Sequence, residues 1–188
     1  MKLPALLREI RACRLCEAQL PLGPRPVLRA STSAKLLIVG QAPGTRVHES
    51  GVPWSDASGK RLREWLQVDE ATFYDERRVA IVPMGFCYPG RKGDGDAPPR
   101  PECSATWHHR LLPLLKKVEL TLLIGRYAQS YFLGSTDVTA NVRQWRERLP
   151  LLPLPHPSPR NVAWFKQNPW FEHDVLPTLR RHVSAALR

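Results

Sequence analysis

Four short apolar runs divide the chain, and each ends in glycine or proline. They are Leu36–Gly40, Val79–Pro83, Leu120–Gly125 and Leu151–Pro155. The first three are continuous rather than alternating, which is typical of strands that are buried on both faces of a sheet. The fourth contains two prolines, which cannot donate hydrogen bonds to a neighbouring strand, so it predicts a poorer strand.

Helices are predicted between these strands, so that the two kinds of element alternate. The helical segments are 1–12, 57–68, 104–117, 126–133, 139–147 and 171–187, while 20–33 is rich in Pro, Gly and Ser and predicts an irregular connection. This order predicts one α/β domain over residues 1–188, a three-layer sandwich with a central four-stranded parallel sheet flanked by helices. In such folds the site lies at the carboxyl ends of the strands. Here the loops that follow the strands begin at Gln41, Met84, Arg126 and His156.

The composition indicates a folded domain with an anionic partner. The chain has 188 residues, of which 43% are hydrophobic and 24% charged, so wholesale disorder is excluded. It has neither a signal-peptide pattern nor an apolar run of roughly 18 residues, so we expect a cytoplasmic protein. The formal charge is +11, and 21 of the 28 basic residues are Arg. Arginine matches phosphate oxygens well and therefore favours a nucleic-acid partner, although an arginine-rich genome gives the same composition.

Four cysteines make up a second feature of the sequence. Cys13 and Cys16 form a C-x2-C pair, 70 residues separate Cys16 from Cys87, and a further 15 separate Cys87 from Cys103. In a cytosolic chain this arrangement favours a metal centre over disulfides. The spacing does not separate zinc from an iron–sulfur cluster, and isolated thiols remain an alternative. The Gly- and Pro-rich stretch between the last two cysteines predicts a loop.

Two loops carry the candidate chemistry. The segment 40–66 follows the first strand, and its glycines permit close backbone approach to a ligand. Within it Asp56 precedes a helix and is predicted to cap it, while Trp54 fits either a site or the core. After the fourth run, His156 lies between prolines in the sequence HPSPRN, which predicts a rigidly presented imidazole or a simple turn.

Together these motifs resemble the uracil-DNA glycosylase superfamily. The resemblance rests on GQAPG after the first strand, LLIGRYAQSYFLG over residues 122–134, HPSPRN after the fourth strand, and the cysteine spacing. The cysteines are similar to those of the iron–sulfur families four and five, which implies a [4Fe–4S] cluster with an architectural role. Family four has Glu at the position of Gln41 and Asn at the position of Pro83. The stretch around Asp56 is nearer to family five, whereas HPSPRN is similar to the single-strand-selective monofunctional glycosylases.

The resemblance also implies a role for individual residues. Asp56 would position the attacking water, with Glu49 in the same loop as the alternative, and His156 would donate a hydrogen bond to the base carbonyl. The remaining predicted residues bind base, DNA or metal: Gln41, Ala42 and Trp54 for the base; Ser158, Arg160, Arg91 and Lys92 for DNA; Cys13, Cys16, Cys87 and Cys103 for the cluster.

The predicted function is hydrolytic excision of uracil from DNA by a monomeric enzyme. Since Pro83 cannot read the base edge, hypoxanthine and xanthine are also candidate substrates. One alternative is a non-catalytic DNA-binding or damage-sensing relative, because Ala42 stands where the best-known glycosylases carry their catalytic Asp. A third possibility is an iron–sulfur or zinc protein that acts on RNA or nucleotides.

Overall fold

The computed structural model describes residues 2–188 and is built on a parallel four-stranded sheet. Its strands are β1 (Leu36–Val39), β2 (Val79–Ile81), β5 (Leu120–Ile124) and β6 (Leu151–Leu154), in the spatial order β2-β1-β5-β6. Leu36 of β1 lies opposite Val79 on one side and Leu120 on the other. All four predicted strands are therefore confirmed, and β6, with its prolines, is an edge strand.

Helices cover both faces of the sheet. They are α1 (Leu3–Arg11), α2 (Thr45–Ser50), α3 (Ala57–Leu66), α4 (Glu70–Tyr74), α5 (Pro101–Leu111), α6 (Gly125–Leu133), α7 (Val138–Arg143), α8 (Trp145–Arg148), α9 (Val162–Gln167) and α10 (Leu176–Ala186), with a π-helical turn at Phe171–Val175. The predicted α/β class is confirmed. Met1, which the predicted first helix includes, lies outside the described residues.

Each strand contributes to two hydrophobic layers. Leu36 and Ile38 of β1 pack with α3 and α10 on one face, whereas Leu37 and Val39 pack with α1, α5 and α6 on the other. Alternate side chains of a strand point to opposite faces, so a continuous apolar run is what a sheet covered on both faces requires.

The region from Cys87 to Cys103 corrects two predictions. The segment between these cysteines is not all loop, because it contains the two-stranded hairpin β3 (Arg91–Lys92) and β4 (Gly95–Asp96) and the first turn of α5. Proline suits the first position of a helix, so α5 begins at Pro101 instead of residue 104. It ends at Leu111 rather than at 117, because Pro113 lacks the amide hydrogen that a further helical turn needs.

Further differences concern short elements. The predicted helix 139–147 is two helices, α7 and α8, and the sequence did not indicate α2, α4 or α9. The outer edge of β2 is covered by the segment before β1, where Arg29 and Ile81 exchange backbone hydrogen bonds of 2.9 and 2.7 Å. Within residues 2–188, none of the helices combines the length and apolar character needed to cross a bilayer.

Candidate functional site

A cleft of about 460 Å³ opens where the loops after β1 and β6 meet. Most of the residues predicted to carry chemistry line it: Gln41, Ala42, Trp54, Asp56, His156, Ser158 and Arg160. β1 and β6 both flank β5 in the sheet. Residues 100 positions apart in the sequence therefore meet, because parallel strands direct their carboxyl ends to one edge.

Asp56 both caps α3 and faces the cleft. Its Oδ1 accepts a hydrogen bond of 2.9 Å from the Gly59 amide, which fixes the carboxylate at the start of the helix. Among residues 2–188 no hydrogen bond donor reaches the other oxygen, Oδ2. The cap thus orients the carboxylate and leaves one oxygen for a molecule in the cleft.

Trp54 forms a wall of the cleft. Its ring lies beside the imidazole of His156, with ring centroids 5.7 Å apart and planes inclined by 34°. The absence of a side chain at Gly40 makes room for the ring, since a Cβ there would lie 2.9 Å from Trp54 Cζ2. The indole therefore packs directly against the backbone at the end of β1.

His156 presents a neutral imidazole with a defined tautomer. The Ser158 amide donates a 3.2 Å hydrogen bond to Nδ1, and burial lowers the pKa of His156 despite the opposing influence of the Asp56 carboxylate. A neutral ring whose Nδ1 accepts carries its proton on Nε2. The Asn161 side chain further fixes the loop by donating to the His156 carbonyl oxygen at 2.7 Å. His156 is therefore held as a hydrogen-bond donor through Nε2.

Asp96 is a cleft residue that the sequence analysis missed. It lies on β4, and its Oδ2 is 3.4 Å from the point where a Cβ on Gly44 would stand. Desolvation raises the pKa of Asp96, although Arg160 and Arg91 oppose that shift by attracting its charge. The Gly93–Asp94 pair between β3 and β4 is a hairpin signal that could have placed this carboxylate.

The other predicted polar residues divide into two groups. Arg91 and Lys92 are exposed on the hairpin beside the cleft. Glu49 is exposed on α2 and is not among the residues that line the cleft, and its backbone carbonyl accepts a 3.0 Å hydrogen bond from Arg25. Arg46, on the same helix, does line the cleft, and nothing in its sequence context distinguished it.

Two residues of the cleft lining, Pro83 and Gln41, have part of their hydrogen-bonding capacity already used within the protein. Pro83 contributes only backbone and ring atoms there, and its carbonyl is paired with Nε2 of His108 at 3.0 Å. Gln41 donates through Nε2 to the Ala97 carbonyl at 3.2 Å, which anchors its amide to the hairpin segment. The other end of the amide, Gln41 Oε1, accepts no hydrogen bond within residues 2–188 and remains available as an acceptor.

The four cysteines surround a second, smaller cavity on the sheet face covered by α1 and α5. Cys13 follows α1, Cys16 lies one turn later, Cys87 follows β2, and Cys103 lies in the first turn of α5. All four thiols are free. Within residues 2–188, no three side chains of metal-ligating type are close enough together to bind one metal ion.

The environment of these thiols is apolar but supplies hydrogen-bond donors. Burial raises the pKa of Cys87 to about 11 and that of Cys103 to about 12. The Phe86 amide donates to Cys103 Sγ at 3.3 Å. Burial raises the pKa of Cys16, and the neighbouring Arg100 guanidinium opposes that rise. Arg100 is also paired with Glu102. Two buried atoms of this pair, Arg100 Nε and Glu102 Oε2, have no hydrogen-bond partner among the described residues.

Comparison with known families agrees with this geometry. A sequence model of the uracil DNA glycosylase superfamily matches residues 29–180. The match includes both cleft loops, the four-stranded sheet, and two of the four cysteines, Cys87 and Cys103. Since it spans most of the chain, the protein belongs to the uracil DNA glycosylase superfamily.

Proposed function

We propose that the protein is a monofunctional DNA glycosylase that hydrolyses the bond between a deaminated base, uracil first, and its deoxyribose. The observation that carries this proposal is the convergence of Asp56, Trp54 and His156 in one cleft. Superfamily membership indicates a DNA glycosylase. A cleft of about 460 Å³ lies within the usual range for small-ligand sites, and the target nucleotide would enter it after flipping out of the duplex.

Asp56 would position the water and stabilise the sugar. As the glycosidic bond lengthens, C1′ acquires oxocarbenium character, and a fixed carboxylate nearby lowers the energy of that cation. The water oxygen bonds to C1′, the glycosidic electron pair leaves with the base, and the proton from water ends on the released base. The helix cap supports this role because it holds the carboxylate without occupying both of its oxygens.

His156 would stabilise the leaving base. Negative charge develops on the base carbonyl oxygen as the bond breaks, and a neutral imidazole can donate to it through Nε2. The hydrogen bond from Ser158 to Nδ1 supports this assignment, since it fixes the donor on the other nitrogen. The Trp54 ring would stack on the flipped base beside this donor.

The basic residues around the cleft would hold the DNA backbone. Arg46 and Arg160 line the cleft, while Arg91 and Lys92 are exposed beside it. Arginine and lysine at such positions bind phosphates without regard to sequence. Ser158 would contact a flanking phosphate, and Arg160 would enter the gap left by the flipped nucleotide.

Base selectivity is proposed to be broader than uracil alone. Ala42 lines the cleft without a side-chain donor or acceptor, and the side-chain nitrogen of Gln41 is already bonded to Ala97. Pro83 offers no side-chain donor or acceptor to the base edge. A pocket with few such contacts rejects related bases weakly, so hypoxanthine and xanthine are proposed as further substrates.

We also propose that the four cysteines bind a [4Fe–4S] cluster. All four cysteines line one cavity, so a single group bound there could take four thiolate ligands. Cysteine thiolates are the usual ligands of iron–sulfur clusters. The unpartnered Arg100 Nε beside the cavity is consistent with a negatively charged group there. When bound, the cluster would order the segments that carry its ligands and would take no part in base release.

The deciding experiment is release of uracil from single- and double-stranded oligonucleotides by the parent protein and by Asp56→Asn. Asparagine is also a good helix cap, so this variant removes the charge and keeps the helix start. Asp69→Asn is the matched control, because Asp69 caps α4 in the same way, with its Oδ1 2.7 Å from the Thr72 amide, outside the cleft.

We expect release by the parent and by Asp69→Asn, and a loss of roughly 100-fold or more in Asp56→Asn. Equal activity in Asp56→Asn would refute the assigned role. If the parent, carrying its metal centre, binds DNA but releases none of uracil, hypoxanthine or xanthine, it is a non-catalytic binding protein instead.

A further inference from the structure

The backbone of Trp54 adopts a left-handed conformation that bulky residues rarely occupy. Its φ is 57°, and within residues 2–188 the only other non-glycine residue with positive φ is Gln67, which follows the end of α3. A positive φ at a helix end is common, but at a large aromatic residue it is a genuine outlier. Such a conformation persists only where the surrounding structure holds it.

Two side chains bind the Trp54 carbonyl oxygen from behind the cleft. Arg63 Nη1 of α3 donates to it at 3.2 Å, and the Tyr74 hydroxyl at the end of α4 donates to it at 3.2 Å. The same Arg63 nitrogen lies 3.3 Å from the Tyr74 oxygen, so the three groups form a closed triangle. Desolvation raises the pKa of Tyr74, which keeps the hydroxyl protonated as a donor.

The triangle is itself well supported. The Arg63 side chain is only 17% exposed, and its other terminal nitrogen lies 3.5 Å from the Glu70 carboxylate. The guanidinium also lies over the ring of Phe73, 5.4 Å from the centroid. A guanidinium with this many contacts has little freedom to release the carbonyl.

Neither donor touches the cleft, so any effect on chemistry passes through Trp54. The two hydrogen bonds to the carbonyl fix the orientation of the Trp54 peptide group and hence the position of its Cα. From that position the ring lies between Gly40 and His156. If the carbonyl were released, Trp54 could return to the common φ below zero, which would change the direction of the Cα–Cβ bond that carries the ring. The position of the cleft wall is thus set by groups on α3 and at the end of α4.

We propose that Tyr74 and Arg63 are positioning residues that hold the Trp54 indole against His156 and so shape the wall on which the base stacks. This inference rests on the proposed function, because it gives a catalytic consequence to the position of Trp54. Loss of either donor would leave the fold and the other cleft residues in place but let the Trp54 ring move away from His156.

The test uses Tyr74→Phe, which removes one oxygen atom. Tyr131→Phe is the matched control, since Tyr131 is 47% exposed on α6 and lies outside the cleft lining. In the ¹H–¹⁵N spectrum of the holoprotein, the Trp54 indole signal is identified by its absence in Trp54→Phe. We expect this signal to shift or broaden in Tyr74→Phe and to remain unchanged in the control. An unmoved signal overturns the proposal whether or not the protein releases base.

Base release then measures the consequence. We expect Tyr74→Phe to lower kcat by about tenfold with little change in KM, because a small misplacement of a positioning group costs rate more than affinity. In a Trp54→Ala background the same change should leave kcat unaltered. The lost hydrogen bond to the backbone carbonyl of residue 54 should lower Tm in both backgrounds. A kcat loss of equal size in both backgrounds would mean a general structural effect and would overturn the proposal. If the parent releases no base, the proposed function fails, and the indole signal alone decides the positioning role.

Discussion

Replacing Gly59 by alanine tests how closely the start of α3 fits against Trp54. An ideal Cβ at Gly59 would lie 1.7 Å from the Trp54 carbonyl oxygen, 2.5 Å from its carbonyl carbon and 2.8 Å from its Cβ. None of these atoms can move by a side-chain rotation alone. Either α3 or the turn at residue 54 must therefore shift, and a shift of the turn breaks the hydrogen bonds from Arg63 and Tyr74.

The expected loss of stability follows from these contacts. Alanine in place of glycine inside a helix stabilises it by about 1 kcal/mol. Against this, forcing atoms into a filled site costs about 1–3 kcal/mol and occasionally more, and the lost hydrogen bonds cost about 1 kcal/mol each. We therefore expect Gly59→Ala to lower the free energy of unfolding by about 3 kcal/mol.

Urea unfolding measures this loss. For a chain of this size, with a slope of about 2–3 kcal/mol per molar urea, the midpoint should fall by roughly 1 M. Lys60→Ala is the control, because Lys60 is exposed on the same helix and should change stability by less than about 0.5 kcal/mol. A Gly59→Ala protein that is as stable as the parent and equally active would refute the fitted contact between α3 and Trp54.

Three further predictions concern the metal centre, pH and DNA affinity. Cys103→Ser should lose the iron and acid-labile sulfide of the proposed cluster, because a thiolate is the preferred ligand. A parent that contains zinc alone would contradict the proposed cluster. Burial lowers the pKa of His108 and His156 below 6.5, so both imidazoles take up protons when the protein unfolds in mild acid. The free energy of unfolding should therefore be highest above about pH 6.5 and should decrease as the pH falls below it. Urea unfolding at a series of pH values should show that the stability of His108→Gln falls less steeply below about pH 6.5 than that of the parent. An equally steep fall would count against a contribution from His108. Asp96→Asn should tighten DNA binding more than Asp94→Asn, measured as Kd at fixed salt, since only Asp96 faces the cleft; equal effects would mean that net charge alone matters.

Much of the fold could be predicted because its determinants are local. Continuous apolar runs indicate strands covered on both faces, and alternation with helices indicates a parallel sheet. Even the run with prolines was correctly placed as a strand, since β6 lies at an edge where a missing amide hydrogen is tolerated. Short helices such as α2 and α9 escaped prediction, because six residues carry too little periodicity to be distinguished from a loop.

The candidate site was predictable in its residue types but not in its geometry. The sequence offered Asp56 and Glu49 as alternatives in one loop, and folding placed only Asp56 in the cleft lining because Glu49 lies exposed on α2. The Gly93–Asp94 turn could have placed Asp96 on a hairpin, but not in the cleft, because the position of that hairpin depends on the folding of distant segments around it.

The sequence by itself determined the class of the fold and its superfamily motifs, because these are properties of composition and spacing. Only the tertiary structure decided which nitrogen of His156 carries the proton and which carboxylates share the cleft. It also decided the left-handed backbone of Trp54, which is held by Arg63 and Tyr74 from further along the chain. The contacts that hold Trp54 reach 9 residues along the chain to Arg63 and 20 to Tyr74. The contact that sets the His156 tautomer spans only two residues, but it depends on a loop conformation that spacing in the sequence does not give.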